Sequence, residues 1–167
     1  MYEAFLLIYE PIFEAFAAGG VRYLIVGGLA TVLHGHIRMT ADIDLIVHLE
    51  PDNCRKAIET LVALGFKPRA PVDPLDFADP VKRNEWVHTK GLTVFSMSGK
   101  SEVPVEIDLF VEEPMDFEEL WQKRSELEFG GTVAQVIDKN SLIELKSRSG
   151  RPQDLEDIAG LKRLGDA

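Results

Sequence analysis

Cysteine is almost missing. Cys54 is the only one in 167 residues, so no internal disulfide can form, and a reducing, cytoplasmic setting is expected. No apolar run approaches the roughly 20 residues that a membrane-spanning helix needs. The apolar start, Met1 to Phe16, carries Glu3, Glu10 and Glu14 and lacks a basic flank, so it does not read as a signal peptide. Low-complexity tracts and internal repeats are absent as well. Basic charge is short: 18 Lys and Arg stand against 28 Asp and Glu, a formal net charge of −10. A protein that grips duplex nucleic acid carries a basic footprint, whereas carboxylates gathered around metal ions appear as surplus negative charge in such a count. A small nucleotide suits this balance better than a long polyanion.

What is present is enough for a core. A chain of this length fits one domain, and a single domain over residues 1–167 is expected. Phe5, Ile8, Ile12, Phe13 and Phe16 fall at helical spacing and predict a helix over 2–18, stopped by Gly19-Gly20. Val21 to Val26 reads as a buried strand broken by Gly27-Gly28, with a helix from Leu29 to His34 directly after it. Further strands are expected over 43–47, 103–111 and 132–137, and helices over 51–64, 116–123, 139–148 and 152–164. Pro68, Pro71, Pro74 and Pro80 oppose both helix and central strand, so 68–80 is expected to be a long surface loop, a form that lids often take. Residues 86–90 and 92–97 read as a hairpin turned near Gly91. The fold class is then α/β (α+β), a mixed β-sheet flanked by helices with two helices closing the chain.

Two of the strands carry carboxylates where a buried strand should not. Asp42 and Asp44 flank Ile43 and run into Leu45-Ile46-Val47; Glu106 and Asp108 recur in the same way before Leu109-Phe110-Val111. Side chains two apart in a strand share a face. An ionised carboxylate in such surroundings costs several kcal/mol or more unless it is paired or binds a metal, and neither run holds a Lys or Arg. Clustered carboxylates repel one another unless a cation lies between them, and Mg²⁺ accepts one or two carboxylates together with substrate phosphates. A lone Asp-x-Asp more often caps a turn. The second acidic strand and the upstream glycines reverse those odds, because Gly27-Gly28 opening a helix offers free N–H groups and a close backbone approach to an anion.

The stretch Val26-Gly27-Gly28, a spacer, then Asp42-Ile43-Asp44-Leu45, and later Asp108, resembles the signature of the DNA polymerase β-type nucleotidyltransferase superfamily. The run Gly27-Gly28-Leu29-Ala30 through His34-Gly35 and Arg38-x-Thr40-x-Asp42-Ile43-Asp44-Leu45 is closer still to its minimal bacterial and archaeal members, among them the AbiEii-type toxins of type IV toxin–antitoxin systems. Leu142-Ile143-x-x-Lys146 and Arg151-x-x-Asp154-x-x-Asp157-Ile158-x-x-Leu161 are similar to the C-terminal motifs of that group. The resemblance covers roughly residues 20 to 165 and implies a nucleotidyltransferase fold. It implies that Asp42 and Asp44 ligate two Mg²⁺ ions (Mn²⁺ being the alternative), and that Asp108 ligates the ion that activates an acceptor hydroxyl. Gly27 and Gly28 would cradle the β- and γ-phosphates of a nucleoside triphosphate, with Arg38 and Thr40 beside them. Lys146 would contact phosphate or substrate, and Asp154 or Asp157 would orient it. Many superfamily members have Ser at the position of Gly28, so Thr31, Thr40 or Arg38 would have to supply the missing contact. The implied activity is transfer of a nucleoside monophosphate to a hydroxyl on a protein, an RNA end or a small molecule, with an antitoxin-like partner if the toxin likeness extends that far, and no membrane.

Other residues divide between bland and functional roles. His34 and His36 favour structural hydrogen bonds over phosphate contact, and no zinc spacing surrounds them. Cys54 reads as a core filler. Arg38 is shared evenly between nucleotide and the Asp42/Asp44 pair. Lys82-Arg83 reads as a solvated surface pair, and Trp86 and Trp121 as core rather than base-stacking rings. Lys146, Arg148 and Arg151 form the one basic cluster near acidic helices, which favours function there. Two other classes compete with the transferase: a degenerate partner-binding module, and a metal-dependent phosphodiesterase or nuclease.

Overall fold

The computed structural model describes residues 2–100 and 104–165, with side chains from residue 8 onward. Val103, where the expected 103–111 strand begins, and the Phe5 side chain lie outside the described residues. The chain opens with α1 (Tyr2–Gly19), which buries Tyr9, Ile12, Phe13 and Phe16 and stops where Gly20 takes φ +66°. All four residues of β1 (Tyr23–Val26) are buried, and the strand runs straight into α2 (Gly27–Leu33). After β2 (Asp42–Val47), the Glu50 carboxylate accepts from the N–H groups of Asp52 and Asn53 and starts α3 (Pro51–Ala63), with Pro51 in its first turn. Then come β3 (Phe66–Pro68), a 3₁₀ turn over Pro74–Ala78, α4 (Pro80–Lys90), β4 (Val94–Gly99), β5 (Glu106–Phe110) and α5 (Phe117–Lys123). A hairpin of β6 (Ser125–Phe129) and β7 (Thr132–Val136) leads into α6 (Lys139–Ser149) and α7 (Pro152–Arg163).

The strands form one mixed sheet in the order β3-β4-β5-β2-β1-β7-β6. β1 is antiparallel to β2, while β2 runs parallel to β5 and β1 parallel to β7. Helices cover the sheet: α1 packs on α3 and β7, and α6 packs on α7 and reaches α2. On β2 the two faces differ sharply. Ile43, Leu45 and Val47 are fully buried, whereas Asp42 and Asp44 point to the opposite side. Among the described residues no helix is long and apolar enough to cross a membrane.

Three expectations fail locally. Residues 86–90 are not a strand. Asp79 accepts from the Val81 N–H, Pro80 occupies the first turn, and Gly91 ends α4 at φ +63°, so the glycine is a helix cap rather than a hairpin turn. β4 pairs instead with β3 and β5. The proline-rich stretch is not an open lid either: the 3₁₀ turn drops Phe77 into the core, stacked 5.4 Å from Phe95. Arg83 is no surface residue. It is 6% exposed and donates to the carbonyls of Phe77 and Leu49, tying α4 and the 3₁₀ turn to the end of β2. Two short strands, β3 and β6, were not expected at all.

Candidate active site

The carboxylate rows meet in register. β2 and β5 pair so that Asp44 lies opposite Asp108 and Asp42 opposite Glu106, neighbours separated by the ordinary strand spacing of roughly 4.8 Å. Register partners in adjacent strands face the same way, so four carboxylates stand on one side of the sheet in two rows. On the far side of β5, the Ser96 hydroxyl donates to Asp108 Oδ1 at 2.6 Å. At the outer row, the Arg69 guanidinium pairs with Glu106 at 2.8 Å.

This crowding shifts the acids. Burial, then the charges of Asp108 and Asp42, push Asp44 up to about 6 against the opposing pull of Lys146 and Arg151. Asp42 is also raised, by burial first and then by Asp108 and Glu106, with Arg69 opposing. Among the described residues, no three His, Cys, Asp or Glu side chains are already gathered as a metal-ligand set. The donor chemistry nonetheless fits a hard divalent cation: carboxylate oxygens only, adjacent in register, with more negative charge than the neighbouring cations offset.

The two glycines are packed against the site's own side chains. Gly27 sits at φ +66°, and a Cβ there would overlap Asp44 Oδ2 and stand 3.0 Å from its Cγ. At Gly28 a Cβ would overlap Thr40 Oγ1 and lie 3.0 Å from Arg38 Nη2. The missing side chains thus make room for the site's own residues. Thr31 cannot replace a phosphate-binding hydroxyl, because it is fully buried and donates to the Gly27 carbonyl at 2.9 Å. Gly27→Ala is expected to displace the Asp44 carboxylate and to cost about 1–2 kcal/mol through its left-handed backbone. Urea denaturation together with Mn²⁺ titration of the variant checks this, and unchanged Mn²⁺ binding would contradict it.

Two contiguous cavities open above the carboxylates. The larger, about 530 Å³, is lined by Val94, Asp108, Phe110, Leu142 and Arg148 among others. The smaller, about 320 Å³, takes in Gly28, Arg38, Thr40, Asp42 and Gln153. Gly27, Asp44, Lys146, Arg151 and Asp154 line both. Asp42 therefore belongs to one lobe, Asp108 to the other, and Asp44 to the junction.

The two C-terminal aspartates occupy distinct places. Asp157 is fully buried and lines neither lobe; it accepts from Arg38 Nε at 2.8 Å and Nη2 at 3.0 Å, from Lys146 Nζ at 2.8 Å and from Gln153 at 3.1 Å. Burial pushes its carboxyl up, but the bonds from Arg38 and Lys146, the Lys146 charge and the Gln153 bond outweigh it and hold the group below its ordinary value. Asp154 accepts from the Arg151 backbone N–H at 3.1 Å and from Arg151 Nε at 2.9 Å, with Lys146 Nζ at 3.8 Å. Arg38 thus braces Asp157 and not the Asp42/Asp44 pair. His34 makes the expected structural bond, 2.7 Å to the Ile137 carbonyl, and the His36 ring is pressed against Gly160 of α7. Cys54 is a buried filler whose thiol burial raises to about 11. Trp86 lies in the core, stacked 5.2 Å from Phe95. Trp121 is half-buried, with the guanidinium of Arg124 3.9 Å from its ring centroid.

Sequence reasoning missed Ser96, whose role depends on a strand pairing it could not see, and the bond from Arg38 to Asp157; a contact of Asp154 or Asp157 with Lys146 was expected, and Asp157 makes it at 2.8 Å.

Comparison with known proteins agrees with this architecture. A family model described as "Nucleotidyltransferase of unknown function (DUF6036)" matches residues 12–162. Among solved structures, ANT(2")-Ia in complex with adenylyl-2"-tobramycin is similar over 97% of this chain and 90% of its own, with TM-score 0.60 at 14% identity. The lincosamide antibiotic adenylyltransferase LnuA, lincomycin-bound, is similar over 94% of each chain, with TM-score 0.58 at 20% identity. An antigenic nucleotidyltransferase-like protein from Paracoccidioides brasiliensis is similar over 95% of this chain and 75% of its own, with TM-score 0.59 at 18% identity. At these identities the likeness is one of fold. No curated protein matches the chain.

Proposed function

This chain belongs to the family described as "Nucleotidyltransferase of unknown function (DUF6036)", and from that premise we propose that it transfers a nucleoside monophosphate from a nucleoside triphosphate to the hydroxyl of a small acceptor, with Mg²⁺ as the metal. The observation that carries this reading is the division of the three aspartates between two lobes, with Asp44 at their junction. The triphosphate tail lies in the lobe of Gly28, Arg38, Thr40 and Asp42; the acceptor approaches from the lobe of Asp108.

Asp42, Asp44 and Asp108 would hold the metal ions, which when bound offset charge on the entering and leaving oxygens. The remaining work falls to the chain's own residues. As the acceptor oxygen bonds to the α-phosphorus, the bond to the bridging oxygen breaks and pyrophosphate leaves with the electron pair. The hydroxyl proton passes to Asp108 Oδ2, the oxygen that Ser96 does not engage. Lys146 and Arg38, held by Asp157, line the triphosphate lobe as fixed positive charge.

A small acceptor is favoured because the Asp108 lobe falls within the ordinary size range of small-molecule sites, about 300–1,000 Å³, and has apolar walls at Phe110, Leu142 and Leu145. Two structural neighbours carry antibiotics or their adenylylated product by their own descriptions. The AbiEii-like alternative, with a protein or RNA acceptor and an antitoxin-like partner, draws its support from the motif likeness alone.

Incubation with each α-³²P-labelled NTP and Mg²⁺ tests these readings against panels of hydroxylated antibiotics, tRNA and cell protein. Labelled small molecule with release of pyrophosphate is expected. Cleaved strand without pyrophosphate would point to the phosphodiesterase class, and NTP binding without turnover to the degenerate module.

A further inference from the structure

The site's cations are not equally free to act. Four of them line the two lobes: Arg38, Lys146, Arg148 and Arg151. Arg38 gives Nε and Nη2 to Asp157 and Nη1 to the Met39 carbonyl at 2.8 Å. Lys146 gives its ammonium to Asp157, buried among the helices. Arg148 gives Nη1 to the Pro114 carbonyl and Nη2 to Glu144, each at 2.8 Å. Arg151 differs. Only its Nε is engaged, by Asp154 at 2.9 Å, and among the described residues neither terminal nitrogen has a protein acceptor. Its side chain is 76% exposed, yet it borders both lobes and so stands over the junction that Asp44 marks.

We propose that Arg151 is a further catalytic residue, whose two free Nη groups fork onto the non-bridging oxygens of the α-phosphoryl group while it is being transferred. The proposal rests on the transferase reading above. A guanidinium fork matches phosphoryl oxygens geometrically, which an ammonium cannot do. The position at the junction selects the α-phosphoryl over the tail, since the tail's lobe already holds Arg38. Asp154 then acts as a positioning residue: it pins Nε and the Arg151 backbone N–H, so the guanidinium pivots about one fixed nitrogen. The Asp154 bond is also the largest influence raising the Arg151 pKa, with Asp44 a lesser one, which keeps the fork charged beside the carboxylates.

A contact made chiefly in the transition state changes turnover more than binding. Pyrophosphate release is the readout, with Mg²⁺, the full chain and the acceptor panels named above. Arg151→Ala is expected to lower kcat at least about a hundredfold, the scale of losing one oriented transition-state donor, with KM for the NTP within about threefold. Added guanidinium ion should recover part of the loss, and Arg151→Lys should recover less than full activity because it lacks the fork. The melting temperature of both variants should stay within a few degrees of the parent, since the buried Asp154 keeps the backbone N–H of residue 151 and Lys146 as partners. Unchanged kcat in Arg151→Ala, a rise in KM alone, or full activity in Arg151→Lys overturns the role of Arg151 and leaves the transferase standing. A parent protein that releases no pyrophosphate with any NTP overturns both.

Discussion

Replacing Asp157 by alanine is expected to destabilise the fold by about 3–5 kcal/mol, the range for breaking a buried ion pair by deleting one partner. Asp157 is 0% exposed and is the shared acceptor for Arg38, Lys146 and Gln153, which come from three separate segments of the chain. Its removal strands the Lys146 ammonium, which is itself only 5% exposed, with Asp154 at 3.8 Å as its nearest ion-pair partner among the described residues. The loop carrying Arg38 and Thr40 loses its tie to α7 at the same time. Asp157→Asn is expected to cost nearly as much, because the amide keeps the shape but not the charge. Denaturation by urea at pH 7 reads the difference directly. A loss under 1 kcal/mol would mean that Lys146 and Arg38 find other partners.

The pH dependence has a definite sign. The folded-state pKa of Asp157 is depressed below its ordinary 3.8, so the native state binds that proton less readily than the unfolded chain. The stabilisation is complete at neutral pH, begins to fade as pH falls past about 3.8, and is gone below the depressed native value. The gap between parent and Asp157→Asn should therefore narrow only in that acid window. A gap that closes already near pH 6 would assign the effect to some other group.

Much of the carboxylate face could be read from the chain, and the reason is short-range. Asp-Ile-Asp and Glu-Ile-Asp fix which side chains share a face through the strand's own repeat of two. The matching of Asp44 with Asp108 could not be read that way, because β2 and β5 pair in parallel across some 60 positions, and register across such a distance is chosen by sheet packing. The same holds for Ser96. In α7, Asp154, Asp157 and Leu161 fall on one buried face at helical spacing, but spacing alone could not say which aspartate meets Lys146, since that depends on how α7 packs against α6. Arg83 misled for a related reason. A basic pair after a proline reads as solvated, but Asp79-Pro80 and Gly91 bracket a helix, and within it Arg83 and Trp86 stand three apart on the face turned to the core. The Trp86-Val87-His88-Thr89 run suggested a strand through aromatic and β-branched content, and the caps prevailed over that propensity.

Asp44→Asn should act in the opposite direction from Asp157→Asn: it should stabilise the metal-free protein while abolishing transfer. Burial and the charges of Asp108 and Asp42 raise the Asp44 pKa from 3.8 to about 6. The native state then binds this proton more tightly than the unfolded chain, so stability falls as pH rises from about 4 to about 6 and is level above. At neutral pH the ionised carboxylate costs the fold up to about 3 kcal/mol, at roughly 1.4 kcal/mol for each pH unit of displacement. Asparagine keeps the shape beside Gly27 and removes the charge. Melting in EDTA at pH 7.5 should show the variant above the parent by up to about 6–12 °C, given roughly 2–4 °C per kcal/mol for a chain of this size, and the two should converge near pH 4. Saturating Mg²⁺ should raise the parent and leave the variant unmoved, since a cation between the aspartates relieves the same repulsion that the substitution removes. This combination is what a functional site held at the expense of stability predicts. An Asp44→Asn protein that melts below the parent without metal would show instead that the acid row is a structural element, with its charge already satisfied by Lys146 and Arg151.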